Sequence, residues 1–403
     1  MEIKELHRNL KFRLYPNNNQ KKLFNFHFFA KNQAWNFALA FKIKELSEMK
    51  HLPKEDRTYT KFKDLYQLTI NHLKERNITF NSGVIQDELR KLDNTFQKFY
   101  TRKLEGYGFP KFKSSRLTSQ SIIIRNQATH WDDKHLKLFR NSIKAKFHRN
   151  IPDGSKFNGG IIKRESDGKY YVILNLTIEQ EILINENTLE CGIDMNVSNI
   201  AITDSNGNQE LIPLEDFSKS KYSSNFNKLQ KKLSKRYRKK NFSKRTNKLQ
   251  NKSNKLQKKI KNKKEDRFHK LSKIITNNYS RITIEDLSIK DMKESSKSFL
   301  NRMISDVSWG SLITKIKYKA EQMNVIIREI NPAFSSQRCN DCGFISKNNR
   351  KSQSDFHCGN CSYTENADLN ASKNILEYDI WSLGQKAILS SMKDRSSQVF
   401  SIN

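Results

Sequence analysis

Acidic residues are scarce in this 403-residue sequence, which has 42 Asp and Glu against 75 Lys and Arg and a formal net charge of +33. A folded protein of that charge repels itself, and an anionic partner relieves the repulsion. The sequence has no apolar run near the roughly 18 residues that a membrane span needs, and no isolated basic amphipathic helix. Nucleic acid rather than a membrane is therefore the expected partner, with binding that weakens as salt rises.

Hydrophobic residues are also few, at 35% of the chain. The length still allows two or three domains, each with its own core. Residues 1–16 carry charges throughout and lack the apolar core, about 7–15 residues long, of a signal peptide, so we expect a cytoplasmic protein. A prokaryotic host, in which the protein is nucleoid-associated, is assumed. The motifs GxxxxGK[ST] and GxSxG are absent, so neither a P-loop ATPase nor a serine hydrolase is indicated.

Cysteine is limited to five residues, and four of them form two C-x2-C pairs. Cys339, Cys342, Cys358 and Cys361 have the spacing of a zinc ribbon, in which four thiolates close a tetrahedral shell around one structural Zn²⁺. The odd count and the paired spacing favour a metal site in a reducing compartment over a disulfide framework. Cys191, the fifth, is expected to be a small buried strand residue.

The first half of the chain predicts a small β-barrel interrupted by helices. Residues 8–16 alternate basic and apolar side chains, as a half-exposed strand does, and Asn17 to Asn19 can cap the following helix. Helices are predicted from Gln20 to Met49, Lys61 to Leu73 and Gly83 to Leu104. Short β-like runs follow at 121–125, 135–139, 143–147, 160–164 and 170–178, with a hairpin turn at Asp167-Gly168.

The residue pattern changes at Cys191. From there on, three strands are predicted at 191–195, 199–203 and 209–212. Segment 218–264 then holds 20 Lys and Arg and no acid. Such a run is often a solvated, disordered segment, but leucines at helical spacing favour a basic helical hairpin lying along phosphates. A strand at 282–284, a helix from about Ser308 to Met323 and a strand at 325–330 come before the cysteines.

Three carboxylates stand out by their settings. Asp194 lies inside the apolar run Gly-Ile-Asp-Met, where an unpaired charge is costly. Glu285 ends an apolar strand, and Asp368 begins a helix after the last cysteine pair. A lone acid is usually a helix cap or a surface charge, but three brought together can hold one or two Mg²⁺ ions for phosphodiester hydrolysis. Asp286 competes with Glu285, and because strand neighbours face opposite ways only one of them can reach the metals.

Taken in order, these motifs resemble the TnpB (OrfB) family of transposon-associated proteins, compact relatives of type V CRISPR effectors. GIDMNVSNIAITDSNG resembles the first RuvC motif, ITIEDLSIKDM the second and ENADLNASKNIL the third. KFRLYPNNNQ, GFPKFKSSR, NRMISDVSWGSLITKIKYKAEQMNV and the cysteine segment also resemble family segments, so the likeness covers nearly the whole chain.

The resemblance implies a mixed α/β fold. It comprises a RuvC/RNase H-like nuclease domain (183–335 and 363–403) with an inserted zinc ribbon (336–362), and an N-terminal wedge-type β-barrel (1–16 and 105–182) with an inserted helical recognition domain (17–104). The basic hairpin would occupy 218–270. Asp194, Glu285 and Asp368 match the catalytic, Mg²⁺-binding acids, and two Mg²⁺ are implied.

The implied activity is cleavage of double-stranded DNA, directed by a guide RNA from the transposon end, next to a short flanking motif, by a protein that is mostly monomeric. Gln86, Arg125 and Asn126 match positions where relatives contact DNA, although ordinary exposed polar residues explain them equally well. The family usually has Leu-Gly after the first acid, where this chain has Met195-Asn196. We interpret Met195 as a volume-conserving swap and Asn196 as a residue able to adopt the left-handed backbone that Gly allows.

Two other functions remain open from the residues. One is an RNA-guided repressor that binds DNA without cutting it, although nuclease-dead relatives lose acids that this chain keeps. The other is a transposase that transfers DNA strands, since RNase H-like transposases also use three carboxylates. The ribbon placed just before the third acid favours the nuclease.

Overall fold

The computed structural model describes residues 2–101, 107–114, 120–125, 129–182, 185–196, 198–214, 221–240, 243–286, 309–352 and 354–379. The chain divides into two compact units, one spanning Lys4–Gln180 and the other formed mainly by the described residues from Glu181 onward. The predicted barrel and helical domain fall in the first unit, and the predicted nuclease domain and ribbon fall in the second. The finer domain boundaries remain predictions.

The first unit contains a seven-stranded sheet that curls into a nearly closed barrel. Its strands are β1 (Glu2–Leu14), β2 (Gln120–Ile124), β3 (Thr129–Trp131), β4 (His135–Leu138), β5 (Asn141–Lys146), β6 (Lys156–Arg164) and β7 (Tyr170–Ile182). Their order is β2-β6-β7-β1-β5-β4-β3. Alternating residues such as Phe12, Ile162 and Leu174 fill the interior, as the period of two requires.

In the ranges that the structure describes between β1 and β2 there are three α-helices: α1 (Asn18–Met49), α2 (Phe62–Glu75) and α3 (Ser82–Thr101). Asn17 caps α1 as expected, because its side chain accepts from the Gln20 N–H at 2.9 Å while the Gln20 side chain accepts from the Asn17 N–H at 2.9 Å. The three helices share a separate apolar core that includes Trp35, Leu73 and Leu89. These three helices therefore have an apolar core of their own, and the helical recognition domain at 17–104 remains a prediction.

The second unit contains a five-stranded mixed sheet ordered β10-β9-β8-β11-β12. Its strands are β8 (Glu190–Met195), β9 (Asn199–Asp204), β10 (Gln209–Pro213), β11 (Arg281–Glu285) and β12 (Ile326–Ile330). β9 is antiparallel to β8 and β10, whereas β11 runs parallel to both β8 and β12. The carboxyl ends of β8 and β11 therefore meet at one edge, where open α/β sheets place their sites.

Among the described residues of this unit are four α-helices: α4 (Lys221–Arg238), α5 (Lys244–Asn278), α6 (Trp309–Gln322) and α7 (Ala367–Leu376). Antiparallel α4 and α5 form the predicted basic hairpin. Their seam is largely polar, with Gln230 donating to Ser253 Oγ at 2.8 Å and Tyr237 donating to Gln250 Oε1 at 3.0 Å, beside the buried Leu233. Hydroxyl and amide contacts thus hold the two helices together.

The cysteine segment forms a small ribbon that includes β13 (Asp355–His357) and β14 (Thr364–Asn366), which pair antiparallel. Asn366 ends β14 and also caps α7, because its Oδ1 accepts from the Asp368 N–H at 2.9 Å. The ribbon therefore leads directly into the helix that carries the third acid. None of the helices within the described ranges is long and apolar enough to cross a membrane.

The mixed α/β architecture predicted from the sequence is confirmed, with three local corrections. β1 begins at Glu2 rather than at residue 8, and β3 was missed because three residues carry too weak a pattern. The hairpin does not end at 270: α5 continues to Asn278, because Phe268, Leu271 and Ile275 on its last turns pack into the sheet core. Asn126 and residues 215–220, 287–308 and 380–403 lie outside the described residues.

Candidate active site and metal centre

Asp194 lies near the end of β8, in a strand whose residues from Cys191 to Met195 are all buried. Its Oδ2 accepts a hydrogen bond from Asn196 Nδ2 at 2.8 Å. Burial, and then repulsion from Glu285, raise the pKa of Asp194 to about 7, with a further rise from Asp368, while the bond from Asn196 lowers it. A cation bound beside this carboxylate would stabilise its charged form.

Glu285 is the last residue of β11, and the register pairs the preceding Ile284 with Ile193 of β8. Glu285 therefore stands beside Asp194 on the same side of the sheet. Burial raises the pKa of the Glu285 carboxyl, whereas a hydrogen bond from Ser335 Oγ and the charge of Arg350 lower it. Asp286 is exposed, and its backbone N–H donates to Ile330 at 2.8 Å. The geometry favours Glu285 over Asp286 as the second acid.

Asp368 is buried in the first turn of α7, only 1% exposed. Its Oδ2 accepts from Asn199 Nδ2 at 3.0 Å, and its Oδ1 accepts from the Arg350 guanidinium at 2.9 Å. Arg350 comes from the ribbon, and Asn199 begins β9. Two distant parts of the chain therefore fix the third carboxylate.

Gly192 explains how α7 comes so close to the sheet. A Cβ at this position would lie 2.3 Å from the Ser372 carbonyl oxygen and 2.5 Å from the Leu376 nitrogen, both backbone atoms of α7. Only glycine accepts that contact without displacing the helix. The Gly-Ile-Asp motif thus supplies the acid Asp194 and, through Gly192, allows α7 with its Asp368 to pack close to the strand.

The three acids form one electrostatic cluster, because Glu285 and Asp368 both raise the pKa of Asp194. Hard oxygen donors of this kind suit Mg²⁺. Within the described ranges, the four cysteines are the group whose ligand atoms all lie within 4.8 Å of one another, and the acids are not so tightly gathered. The donor set of the three acids therefore fits Mg²⁺.

The four ribbon cysteines form the second candidate metal centre. The Sγ atoms of Cys339 and Cys361 are 3.8 Å apart, and those of Cys342 and Cys358 are 3.5 Å apart. Zn–S bonds of about 2.3 Å in a tetrahedron place sulfurs roughly 3.8 Å apart, far beyond a disulfide bond. A hydrogen bond from the Phe344 N–H is the main cause that lowers the pKa of Cys342 to about 6. The donor set fits Zn²⁺.

Cys191 is fully buried on β8, where burial raises the pKa of its thiol, and it is not part of the cysteine cluster. This agrees with the expected role of a small core residue. The cluster itself is tied to α7, because Asn370 and Asn374 each donate to the Arg338 carbonyl, at 2.8 and 2.7 Å. Ribbon geometry and the position of Asp368 are thereby coupled.

The candidate nucleic-acid contacts lie in the first unit. Arg125 follows β2 and donates to Gln86 Oε1 at 2.8 Å and to Asp87 Oδ1 at 2.7 Å, so the structure brings Gln86 and Arg125 together. The partnership with Asp87 offsets the charge that Arg125 would offer a phosphate. Asn126 lies outside the described residues, and the role of all three in DNA binding stays a prediction.

Sequence reasoning missed Asn199, Ser335 and Arg350, which contact the acids from far away in the chain. It also misread Asn196, whose backbone φ is not positive. The side chain, which bonds to Asp194, is what the asparagine adds. All three had a signal, since Asn199 lies in GIDMNVSNIAITDSNG and Ser335 and Arg350 lie in the cysteine segment, and both segments resemble the family.

Comparisons with known proteins agree with this architecture. Family models match residues 309–375 ("Cas12f1-like, TNB domain"), 176–296 ("Probable transposase") and 1–51 ("Helix-turn-helix domain"). The third matched region forms β1 and the single long helix α1. The chain is 30% identical over 309 residues to InsQ of Escherichia coli (strain K12), provisionally named an RNA-guided DNA endonuclease, covering 73% of this chain and 74% of InsQ.

Two further similarities concern Cas12f1 proteins. The CRISPR-associated endodeoxyribonuclease Cas12f1 of Sulfoacidibacillus thermotolerans is 35% identical over 126 residues, covering 30% of this chain and 28% of that protein. A cryo-EM structure of a Cas12f1–sgRNA–target DNA complex shares the fold, with a TM-score of 0.50, 14% identity, and coverage of 92% of this chain and 98% of that one. On the strength of the InsQ match and the fold, the chain belongs to the TnpB (OrfB) family of transposon-associated proteins, related to type V CRISPR effectors.

Proposed function

We propose that the protein is an RNA-guided endonuclease that cuts double-stranded DNA next to a short flanking motif, using Mg²⁺ held by Asp194, Glu285 and Asp368. Its partners are a guide RNA from the transposon end and the target DNA. It works as a monomer in the cytoplasm of a prokaryote. The names carried by InsQ and Cas12f1 support the reaction class.

One observation carries this proposal: three carboxylates from separate elements converge at the carboxyl edge of the sheet. Asp194 and Glu285 lie side by side on parallel strands, and α7, whose backbone at Ser372 and Leu376 packs against Gly192, carries Asp368 in its first turn. Burying like charges together costs stability, as the raised pKa of Asp194 reflects. Perturbed carboxylates at a sheet edge are characteristic of a catalytic site.

The chemistry that two bound Mg²⁺ ions would supply here is activation of the attacking water and stabilisation of the leaving 3′-oxygen of a phosphodiester. Asp194 and Glu285 would hold the ions from the sheet, and Asp368 would hold them from α7. Ser335 keeps the Glu285 carboxylate in place by donating to Oε1. Arg350 balances the charge of Asp368 and is near enough to lower the pKa of both other acids.

The basic hairpin supports a nucleic-acid partner. Segment 218–264 has 20 Lys and Arg and no acid, and most of those that the structure describes are exposed on α4 and α5. Helices of 18 and 35 residues can follow a phosphate backbone over several base pairs. Guide pairing reads the sequence, so backbone contacts of this kind are what the protein must supply.

The four-cysteine ribbon holds one Zn²⁺ with a structural role. All four positions around the ion are filled by thiolates, so no open position is left for a substrate. Its contacts through Asn370 and Asn374 place α7, and through Arg350 they reach Asp368 directly. Bound zinc would therefore affect the cleavage rate indirectly, because the ribbon fixes the position of Asp368.

A second candidate, a strand-transfer transposase, is favoured by the family model described as "Probable transposase" over residues 176–296. Both reactions use the same three acids. They differ in the product, because strand transfer joins a 3′-hydroxyl to a new DNA strand whereas hydrolysis leaves free ends.

The deciding experiment incubates the protein, purified with the transcript adjacent to its gene, with a plasmid library that carries a guide-matched target and randomised flanks. Mg²⁺ is added, and Asp194→Ala is the matched control. We expect linear products beside one enriched flank, lost in the variant. Joined products would support strand transfer, and retention of the same plasmids without cuts would support a guided repressor.

A further inference from the structure

Two asparagine side chains link the first and third acids. Asn196 Nδ2 lies 2.8 Å from Asp194 Oδ2 and 3.5 Å from Asn199 Oδ1. Asn199 Nδ2 in turn lies 3.0 Å from Asp368 Oδ2. The two carboxamides thus form a continuous path of donors and acceptors from β8 to α7, which we term the asparagine bridge.

Backbone contacts hold this bridge in place. The Asn196 N–H donates to the Asn199 carbonyl at 3.0 Å, and the Trp309 indole N–H donates to the Asn196 carbonyl at 3.1 Å. Trp309 is itself buried in the sheet core. These two hydrogen bonds therefore hold the backbone from which the Asn196 side chain extends.

We propose that Asn196 and Asn199 are positioning residues, which hold the carboxylates of Asp194 and Asp368 at a fixed separation and leave the remaining oxygen of Asp194 directed to the metal ions. The proposal rests on the proposed function, since it assigns the bridge a part in the same site.

The physical argument begins from repulsion. Asp194 and Asp368 carry like charges, and without a link between them they would move apart in the metal-free protein. Carboxamide N–H groups lessen that repulsion without adding a positive charge that would compete with Mg²⁺. Within the described part of the chain, Asp194 Oδ1 accepts no protein hydrogen bond, whereas Oδ2 is taken by Asn196. Outer contacts of this kind orient metal ligands.

The bridge explains the departure at position 196. This chain has Asn196 where the family that it resembles usually has Gly. The φ angle of Asn196 is not positive, so the backbone conformation does not explain the change. Glycine has no side chain, so it could not bond to Asp194. The asparagine therefore adds a contact at the first acid that a Leu-Gly sequence lacks.

The test compares Asn196→Ala, Asn199→Ala and the double variant with the wild type in the guide-loaded complex. Single-turnover cleavage is followed across a Mg²⁺ titration. Removing an outer contact to a metal ligand typically costs about 10- to 100-fold in metal affinity. We expect the half-saturating Mg²⁺ concentration to rise about tenfold while the rate at saturating Mg²⁺ changes much less.

If the two residues form one bridge, the double variant resembles either single variant, because breaking the path once is enough. Asn208→Ala is the matched control, since Asn208, in the turn between β9 and β10, donates through Nδ2 to Asp204 Oδ2 at 2.9 Å, at the opposite end of β9 from Asn199. Its Mg²⁺ dependence should equal that of the wild type.

A second readout does not need cutting. Binding of Mn²⁺ to the full chain without nucleic acid is measured by electron paramagnetic resonance of the free ion, with Asp194→Ala as the background. We expect Asn196→Ala to weaken the Asp194-dependent binding about tenfold. If Asn196→Ala fails to fold, Asn199→Ala breaks the same path from the other end.

The outcomes separate the two proposals. Wild-type cutting with unchanged Mg²⁺ and Mn²⁺ dependence in both single variants would overturn the bridge and leave the nuclease standing. Weakened Mn²⁺ binding in a protein that never cuts would support the bridge and count against the nuclease. A wild-type chain with no Asp194-dependent Mn²⁺ binding would overturn the bridge as a device for metal binding.

Discussion

Arg350 of the ribbon donates to Asp368 Oδ1 at 2.9 Å, so a residue between the two cysteine pairs touches the acid that begins α7. Asp368 is 1% exposed, whereas the Arg350 side chain remains 26% exposed, so the ion pair is shielded from solvent on the carboxylate side. The ribbon acts on the carboxylate site through this contact as well as through the asparagines of α7.

Replacing Arg350 with Ala should slow cutting while the ribbon stays folded. A hydrogen bond to a charged group contributes about 1.5–3 kcal/mol, which corresponds to a loss of roughly 10- to 100-fold. The measurement is the single-turnover cleavage rate, with zinc content confirming an intact ribbon. Arg328→Ala is the control, because Arg328 pairs with Asp379 on an exposed surface. Equal rates in both variants would remove Arg350 from the site.

The raised pKa of Asp194, about 7, makes the stability of the metal-free protein depend on pH. Between the unfolded pKa near 4 and the folded pKa near 7 the folded state holds a proton that the unfolded state has lost, so stability falls as pH rises. Asp194→Asn removes this effect. It should stabilise the protein by about 4 kcal/mol above pH 7 and hardly at all near pH 4.

Melting curves of wild type and Asp194→Asn without Mg²⁺, from pH 4 to 8, measure this difference. The gap between the two melting temperatures should widen up to about pH 7 and then stay constant. A gap of the same size at every pH would mean that Asp194 titrates normally.

Cys358→Ser should leave less than one zinc per chain, because three thiolates hold the ion more weakly than four and the ribbon folds around it. The cleavage rate should fall with the zinc content, since α7 depends on the ribbon. Elemental analysis of the purified protein gives the zinc content. Cys191→Ala, which alters a cysteine outside the cluster, should keep a full equivalent, and a full equivalent in Cys358→Ser would show that the ligands are misassigned.

Gly192→Ala should abolish cutting although it removes no chemical group. The new Cβ would lie 2.3 Å from a backbone oxygen of α7, so the helix must shift and take Asp368 with it. Overpacking of this kind costs about 1–3 kcal/mol. Melting temperature and cleavage rate should both fall. Gly108→Ala, whose Cβ meets nothing within 4 Å, should melt as the wild type does.

The sequence predicts those parts of the site that produce a pattern among residues close together in the chain. Asp194 was visible because a charge interrupts an apolar strand, and the cysteines were visible because each pair lies within one turn. Asn199 and Asp368, by contrast, are 169 residues apart in sequence, and no local pattern joins them. Asn196 shows a third case. The sequence marks the position as a departure from the family pattern, but only the structure shows that the side chain, and not the backbone, makes the contact with Asp194.

The fold was predictable to a similar extent. Strands with alternating or continuous apolar runs were found at nearly their true positions, whereas β3, with three residues, was too short to leave a pattern. The end of the basic hairpin was predicted too early because the residues of α5 change from basic to apolar near that point. This change of surroundings marks where α5 passes from the surface into the sheet core, and the helix itself continues to Asn278.

That change of surroundings has a consequence for the motion of α5. Its last turns are anchored by Phe268, Leu271 and Ile275, while Thr246 and Ser253 secure its first half through hydroxyl contacts. One 35-residue helix thus spans two levels of local stability. Amide hydrogen exchange should report a gradient, with protection falling from Ile275 towards Thr246, and the hairpin end should open many times for each opening at the core.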